Sequence, residues 1–232
     1  MKAVSLFTTS LLLIAATADA DEHTERLDYK VKVLNAEFAK AALYSSSGKV
    51  YGEIKTSEKW SSIFPMDNKI ASRIDDRNFP TETELQFCKR KKKSIYEIAF
   101  GDRRIKVIKN VNGRSTTKVR RIHRKTHDLT SWIYEMRERV KLAPNESTSF
   151  KVFSGNKTYD VNLVPHPREE INTPLGTKVT IPYTITVTRP LKYKRELKMW
   201  FDIEDFHTPI RATGASRIGT FEVMIESIKR KG

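Results

Sequence analysis

Alternation of apolar and polar residues runs through most of the chain. In "LDYKVKVL", Leu27, Tyr29, Val31 and Val33 fall on one side, and Asp28, Lys30 and Lys32 on the other. "KVTIPYTITV" repeats the pattern with Val179, Ile181, Tyr183, Ile185 and Val187, and "ELKMWFDI" with Leu197, Met199, Phe201 and Ile203. A period of two over this length predicts strands with one buried and one wet face. Weaker versions recur at 48–57, 68–75, 84–92, 94–100, 104–111, 116–122, 148–153, 157–164, 208–213 and 218–228. Gly101-Asp102, Asn112-Gly113, Gly155-Asn156 and Pro174-Leu175-Gly176 supply turns between them.

One segment changes period. In "HDLTSWIYEMRERVKLAP", Leu129, Trp132, Ile133, Met136 and Val140 have helical spacing, Asp128 is placed to cap and Pro144 stops the run. An amphipathic helix over about 128–140 is expected to pack on the sheet. "NAEFAKAALYS" has helical composition, but its neighbours favour a strand. Pro182 cannot donate to a ladder, which predicts an edge or a bulge. The fold class is therefore mainly all-β: a curled antiparallel sheet, incomplete barrel or roll, carrying one helix.

The first twenty residues do not fit this pattern. Met1-Lys2 precedes the apolar run "AVSLFTTSLLLIAA" and the small-x-small site Ala18-Asp19-Ala20. That order reads as a secretory signal peptide over 1–20, cleaved after Ala20. The run is shorter than the roughly 20 apolar residues of a membrane span, and no later stretch is long and apolar enough. Residues 21–232 then form a single β-rich domain in the periplasm, without a transmembrane segment. One cysteine, Cys88, cannot form an internal disulfide, so an exported chain must rely on its core. A buried, small apolar strand position is preferred for Cys88 over a reactive thiol.

Charge changes the picture most. The chain has 43 Lys and Arg against 28 Asp and Glu, a net +15. Fifteen of the cations, with only Glu97 and Asp102 opposing them, lie between Lys89 and Lys125. In a cytosolic chain "CKRKKK" would suggest nucleic acid; an exported chain makes that a minor alternative. If the segment forms successive strands, Arg90, Lys91, Lys92, Arg104, Lys106, Lys118, Arg120 and Arg121 are candidates for an anion-binding face. The bland alternative is a solvated face that discourages edge-to-edge aggregation. Trp60, Trp132, Tyr183 and Trp200 are candidate core or cavity-lining aromatics, with core packing the commoner role.

Catalytic patterns are sparse. Asp202, Glu204, Asp205 and His207 lie within six residues and have the chemistry to bind a metal or exchange protons. A solvated hairpin tip explains them as well, since it offers neither burial nor fixed geometry. His123 and His127 have i, i+4 spacing but straddle a junction among Arg120, Arg121, Arg124 and Lys125. There is no Gly-x-Ser-x-Gly and no phosphate-cradling glycine loop. No catalytic residue, metal ligand or cofactor site is assigned; a non-enzyme is expected.

Five segments occur in an order that resembles one family: "HDLTSWIYEMRE", "SFKVFSGNKTYDVNL", "INTPLGTKVTIPY", "KRELKMWFDIEDFHTPIRAT" and "GTFEVMIESI". Together they resemble the exported bacterial family called domain of unknown function 3108 (DUF3108), closely over His127–Lys229 and more loosely over Leu27–Thr126. The resemblance implies a signal-bearing, β-rich, single-domain envelope protein with no established activity. "MWFDIEDFHTPIR" and "TPLGT" also resemble hairpins of periplasmic lipoprotein carriers, which fold as incomplete barrels around an apolar cavity.

Three functions remain in play. The leading expectation is a non-catalytic binding or structural protein of the cell envelope, with a basic face for a lipid headgroup, lipopolysaccharide or acidic polysaccharide. The second is a carrier of a lipid or other lipophilic ligand inside the curl. The third, an envelope hydrolase or transferase, rests on the Asp202–His207 corner alone.

Overall fold

The computed structural model describes residues 24–89, 92–154, 157–188, 195–216 and 219–231. The leader 1–20, Arg90, Lys91 and the Gly155-Asn156 turn lie outside the described residues, as does the side chain of Lys92.

Sixteen strands form one sheet. The first eight make an antiparallel meander: β1 (Glu25–Val33), β2 (Ala36–Ser46), β3 (Lys49–Thr56), β4 (Met66–Ile74), β5 (Pro80–Lys89), β6 (Lys92–Phe100), β7 (Arg104–Val111) and β8 (Arg114–Arg121). A single helical turn, α1 (Glu58–Ser61), lies between β3 and β4. After the two-residue β9 (Thr126–His127) comes the helix α2 (Ser131–Leu142). The rest is β10 (Thr148–Ser154), β11 (Lys157–Pro165), β12 (Glu169–Thr173), β13 (Gly176–Val187), β14 (Arg195–Asp202), β15 (Pro209–Ser216) and β16 (Gly219–Arg230). β1 pairs with β16, so the strand order is β8-β7-β6-β5-β4-β3-β2-β1-β16-β15-β14-β13-β11-β10-β9, with β12 also on β13.

This order forces the curl. β8 and β9 are the two ends of the strand path, yet only residues 122–125 separate them in the chain. Five extended steps reach about 17 Å, whereas fifteen strands laid flat would span roughly 65 Å. The sheet must bend back until its ends nearly meet, while remaining open.

α2 fills the inside of the bend. Trp132, Ile133, Met136 and Val140 join Leu129 in one buried cluster with Leu27, Ile70 and Ile105 from one half of the sheet and Val161, Ile185 and Phe201 from the other. The alternation seen in the sequence supplies the inward residues of each strand: the burial of β1 alternates without a break from Glu25 to Val31. Turn chemistry follows the sequence at Asn112-Gly113, where both residues have positive φ (51° and 80°), the conformation of a type I′ hairpin.

Three local features differ from expectation, and one ambiguous segment is the strand its neighbours favour. The helix starts at Ser131 rather than Asp128, yet Asp128 still caps it: its Oδ1 accepts the N–H groups of Thr130 (2.9 Å) and Ser131 (2.8 Å). "NAEFAKAALYS" is strand β2, whose Leu43 and Ala39 face Leu27 and Val31 of β1. Pro182 lies in a strand paired on both sides, not at an edge. It falls in the gap where β11 pairing ends (Pro165↔Tyr183) and β12 pairing begins (Glu169↔Thr180), so no ladder there needs its missing N–H. β12 has no clear alternation and was not expected.

Candidate functional site

β7 and β8 carry the basic segment to one end of the sheet. β8 is exposed at all eight positions and has a neighbour only on its β7 side. The register divides the cations between two faces. Arg104 stands directly opposite Arg121, and Lys106 opposite Val119, on the outer face. Lys118 and Arg120 face the other way, opposite the core residues Val107 and Ile105. The expectation of a single face holding Arg104, Lys106, Lys118 and Arg120 is thus corrected: they form a basic edge wrapped around the last strand. Strand alternation is the reason, because Arg120 and Arg121 are neighbours in sequence and must diverge.

Elsewhere some cations are matched, as Arg26 is with Asp28 (2.8 Å), Lys30 with Glu226 (2.6 Å), Arg73 with Glu82 (3.1 Å), Lys178 with Asp202 (2.9 Å) and Arg211 with Glu222 (2.8 Å), while others such as Lys32, Lys40, Lys49 and Lys69 have no ion pair among the described residues. What sets this edge apart is density of one sign: neither β7 nor β8 contains an acid. Among the described residues, Arg103, Arg104, Lys106, Arg114, Lys118, Arg120 and Arg121 have no carboxylate within ion-pair distance, although Asp102 nearby holds Arg124 at 2.7 Å. Like charges facing across a ladder repel, so Arg104 and Arg121 are placed at a cost that an anion would remove.

The acidic corner is not a solvated tip. Asp202 is fully buried, paired with Lys178, and its Oδ1 accepts the N–H groups of Glu204 (2.9 Å) and Asp205 (3.2 Å). Asp205 accepts from Arg230 Nη1 at 2.6 Å. Phe206 and His207 both have φ of 50°, the left-handed region that bulky residues avoid. Arg137 braces this turn from α2 by donating to the carbonyl of Phe206 (3.3 Å from Nη2). His207 is half-buried, and burial with the nearby Lys141 lowers its pKa below the ordinary value. Asp202 and Asp205 thus have structural tasks, and no group of three metal-ligating side chains occurs among the described residues.

Arg137 and Glu25 form a buried, bidentate ion pair. Both are buried, with Arg137 Nη1 and Nη2 at 2.5 and 3.0 Å from the Glu25 carboxylate. Arg230 Nε donates to the same carboxylate at 2.9 Å. Burial alone would raise the Glu25 pKa, but the hydrogen bonds and charges of Arg137 and then Arg230 outweigh it and hold the group below its usual value. This triad joins β1, α2 and β16. It went unnoticed in the sequence, although a signal existed: Glu25 is in phase with Leu27, Tyr29 and Val31, and Arg137 with Ile133 and Val140.

Asp128 is a second buried anchor. Beyond capping α2, its Oδ2 accepts from Ser72 Oγ on β4 (2.5 Å) and from Thr83 Oγ1 on β5. His127 beside it is buried, stacked on Phe79 with ring centroids 4.6 Å apart, while His123 is exposed on the link. The two histidines of the i, i+4 pair therefore occupy different environments. Burial pushes the His127 pKa down, against the opposing influence of Glu135 and Asp128.

The four candidate aromatics separate. Trp132 and Tyr183 lie in the core inside the curl. Trp200 faces the opposite side of β14 from Met199, buried between Lys198 and Arg211 (4.6 and 4.8 Å from its ring) with Nε1 donating to Glu169. It nonetheless belongs to the same buried cluster as Trp132 and Tyr183. Trp60 sits on the β3–β4 connection with Phe38 and Phe64. Two depressions indent the outer face: one of ≈ 550 Å³ across β3–β7, lined by Tyr51, Arg73, Glu84, Glu97 and Lys106, and one of ≈ 220 Å³ between the β3–β4 connection and Cys88. Cys88 is half-buried on β5.

The fold defines a class: a curled, barrel-like antiparallel sheet with a helix in the bend. Similar architecture occurs in the crystal structure of a β-barrel-like protein of domain of unknown function DUF1849 from Brucella abortus. The two share 9% identity over 91% of this chain and 99% of that one, with a TM-score of 0.65, so the likeness is one of fold. A putative exported protein with a YmcC-like fold from Bacteroides fragilis (9% identity, 90% and 97% coverage, TM-score 0.35) and the hypothetical lipoprotein YmcC of Escherichia coli K12 (9%, 100% and 98%, 0.33) also match. No curated protein matches the chain in sequence. The family model for a protein of unknown function, DUF3108, matches residues 28–226, and the chain belongs to that family. Among the described residues no helix is long and apolar enough to cross a membrane.

Proposed function

We propose that this is a non-catalytic binding protein of the bacterial envelope, exported through cleavage after Ala20, whose β7–β8 edge engages an anionic envelope component. The supporting observation is the density of unpaired charge of one sign: β7 and β8 contain no acid, Arg104 stands opposite Arg121, and seven cations at this edge have no carboxylate partner among the described residues. Edge protection alone needs only a few charges. Seven, two of them directly opposed, suit a phosphate- or carboxylate-bearing polymer that supplies the missing counter-charge.

The lipophile-carrier reading has no comparable support. Trp132, Met136, Phe153, Tyr183 and Phe201 fill the interior of the bend where a ligand would lie. The hydrolase reading is weakened at the Asp202–His207 corner, where Asp202 and Asp205 are engaged in holding the turn.

Binding of the chain from Asp21 to purified lipopolysaccharide and to soluble polyphosphate, titrated with salt, tests the proposal. Affinity should fall steeply between low and physiological ionic strength, where the screening length shrinks to about 8 Å. Arg104→Gln/Arg121→Gln should weaken binding and flatten the salt dependence, and so should Lys118→Gln/Arg120→Gln. Binding that ignores both salt and these substitutions would sink the proposal.

A further inference from the structure

We infer that the open side of β8 takes up an extended, acidic polypeptide segment as an added strand. The inference rests on the edge reading above and deepens it, by naming the kind of carboxylate-bearing polymer the edge is built to hold.

The first observation is the phase of the backbone. Asn112-Gly113 is a two-residue type I′ loop, so Val111 and Arg114 form a hydrogen-bonded pair. Such pairs recur at every second residue, at Lys109↔Thr116, Val107↔Lys118 and Ile105↔Arg120. Ile122 N donates to Arg103 O at 3.0 Å, the next bond in the same phase. The N–H and C=O groups of Ser115, Thr117, Val119 and Arg121 therefore point away from β7, to the side where β8 has no neighbouring strand among the described residues. They form a row of donors and acceptors that repeats about every 6.8 Å, the repeat of a second strand.

The second observation is that this edge lacks the usual devices that close such a row. The strand path ends on its other side in β9, whose two residues are buried and too few to template a strand. β8 is eight residues long, contains no proline, and runs without a bulge from Arg114↔Val111 to Arg121↔Arg104. All of it is exposed, including Thr116, Lys118 and Arg120 on the face that carries the core residues of β7, so the strand has open space beside it.

Charge selects the occupant. Cations are the one protective device on β8, and they exclude only their own kind. A second copy of β8 laid alongside would bring Arg114, Lys118, Arg120 and Arg121 of both strands into one ladder with no acid among them. An acidic strand meets the opposite situation. Lys118 and Arg120 share one face two residues apart, so acids at every second position of a neighbouring strand would lie beside both. A polyanion without a peptide backbone answers the cations but leaves the row of N–H and C=O groups to water. A polypeptide whose acids alternate with β-branched residues answers both, by strand addition.

The test uses the chain from Asp21 and a labelled ten-residue peptide of alternating Glu and Thr, blocked at both ends, read by fluorescence anisotropy and amide hydrogen exchange. On binding, exchange should slow at Ser115, Thr117, Val119 and Arg121, whose amides face the open side. Thr117→Pro removes one outward N–H without touching the β7 ladder. It should weaken the peptide at least about tenfold, with the circular dichroism spectrum and polyphosphate binding unchanged. Peptides N-methylated on every Glu or on every Thr carry the same charge but block opposite edges of the added strand. One should bind like the parent, and the other at least about tenfold more weakly. Lys118→Gln/Arg120→Gln should weaken peptide and polyphosphate alike. A peptide that fails to bind, or whose binding ignores both Thr117→Pro and the methylation pattern, overturns strand addition; persisting polyphosphate binding would then leave the edge reading standing. A concentration-dependent dimer that Thr117→Pro abolishes also overturns it, because the edge would then serve a second copy. If neither peptide nor polyphosphate binds, the edge reading fails and the inference falls with it.

Discussion

Replacing Glu25 with Gln should expose how much of the fold hangs on one carboxylate. The side chain is buried, and both its oxygens are engaged by Arg137, which is itself only 9% exposed. Gln is nearly isosteric but leaves Arg137 buried with its charge uncompensated. Breaking a buried pair by removing one partner typically costs 3–5 kcal/mol. Arg230 tempers the loss, because it keeps Asp205 and Thr208 as partners at 2.6 and 3.1 Å. We expect about 3 kcal/mol, or a fall in Tm of roughly 6–12 °C for a chain of this size. The pH dependence tests the cause. Since the folded pKa of Glu25 lies below its ordinary 4.5, the unfolded chain takes up this proton first as pH falls. The stabilisation is complete above about pH 4.5 and disappears as pH drops through the folded pKa. Urea unfolding of wild type and Glu25→Gln should therefore show a constant gap at neutral pH that narrows under acid. A gap below about 0.5 kcal/mol, or one that persists unchanged at pH values where Glu25 is protonated, would refute the triad as the latch between β1, α2 and β16.

Three further substitutions probe other joints. Asp128→Ala strips the cap of α2 and the acceptor shared by Ser72 and Thr83, and should cost about 3–5 kcal/mol by denaturant titration; Asp128→Asn, which keeps one acceptor oxygen, should cost less. His127 has a depressed pKa, so the unfolded state protonates first: its contribution to stability is intact above about pH 6.5 and declines as pH falls towards the folded value. His127→Phe should flatten the stability profile across that interval relative to wild type, as measured by thermal unfolding at a series of pH values. A Cβ at Gly214 would lie 2.9 Å from the Phe221 ring, so Gly214→Ala should destabilise by about 1–3 kcal/mol, with much of the loss recovered by Phe221→Leu.

Much of the fold was legible because a period of two is hard to imitate. Strands such as β1, β7 and β13 follow the alternation of their residues nearly to the boundary, and α2 follows the spacing of Trp132, Met136 and Val140. What was illegible depended on partners distant in sequence. Nothing local indicates that β1 pairs with β16, nor that Asp202 turns inward to meet Lys178. A run of cations likewise reveals its sign but not its faces: Arg120 and Arg121 must diverge on any strand, but which of them lies opposite the core residue Ile105 depends on the β7–β8 register set by the Asn112-Gly113 turn.

What accompanies the charge at the β7–β8 edge sets how it should bind. Its cations stand among Ser, Thr and a single exposed Val119, with no aromatic residue on β8. Such side chains attract by field alone, so a soluble polyanion should bind in proportion to charge and weaken smoothly with salt. A partner that also buried apolar area would keep a residual affinity that salt does not screen. The salt concentration at which wild type leaves a soluble polyanion, compared with that for Arg104→Gln/Arg121→Gln, therefore measures how much of the net +15 of this chain acts through this edge.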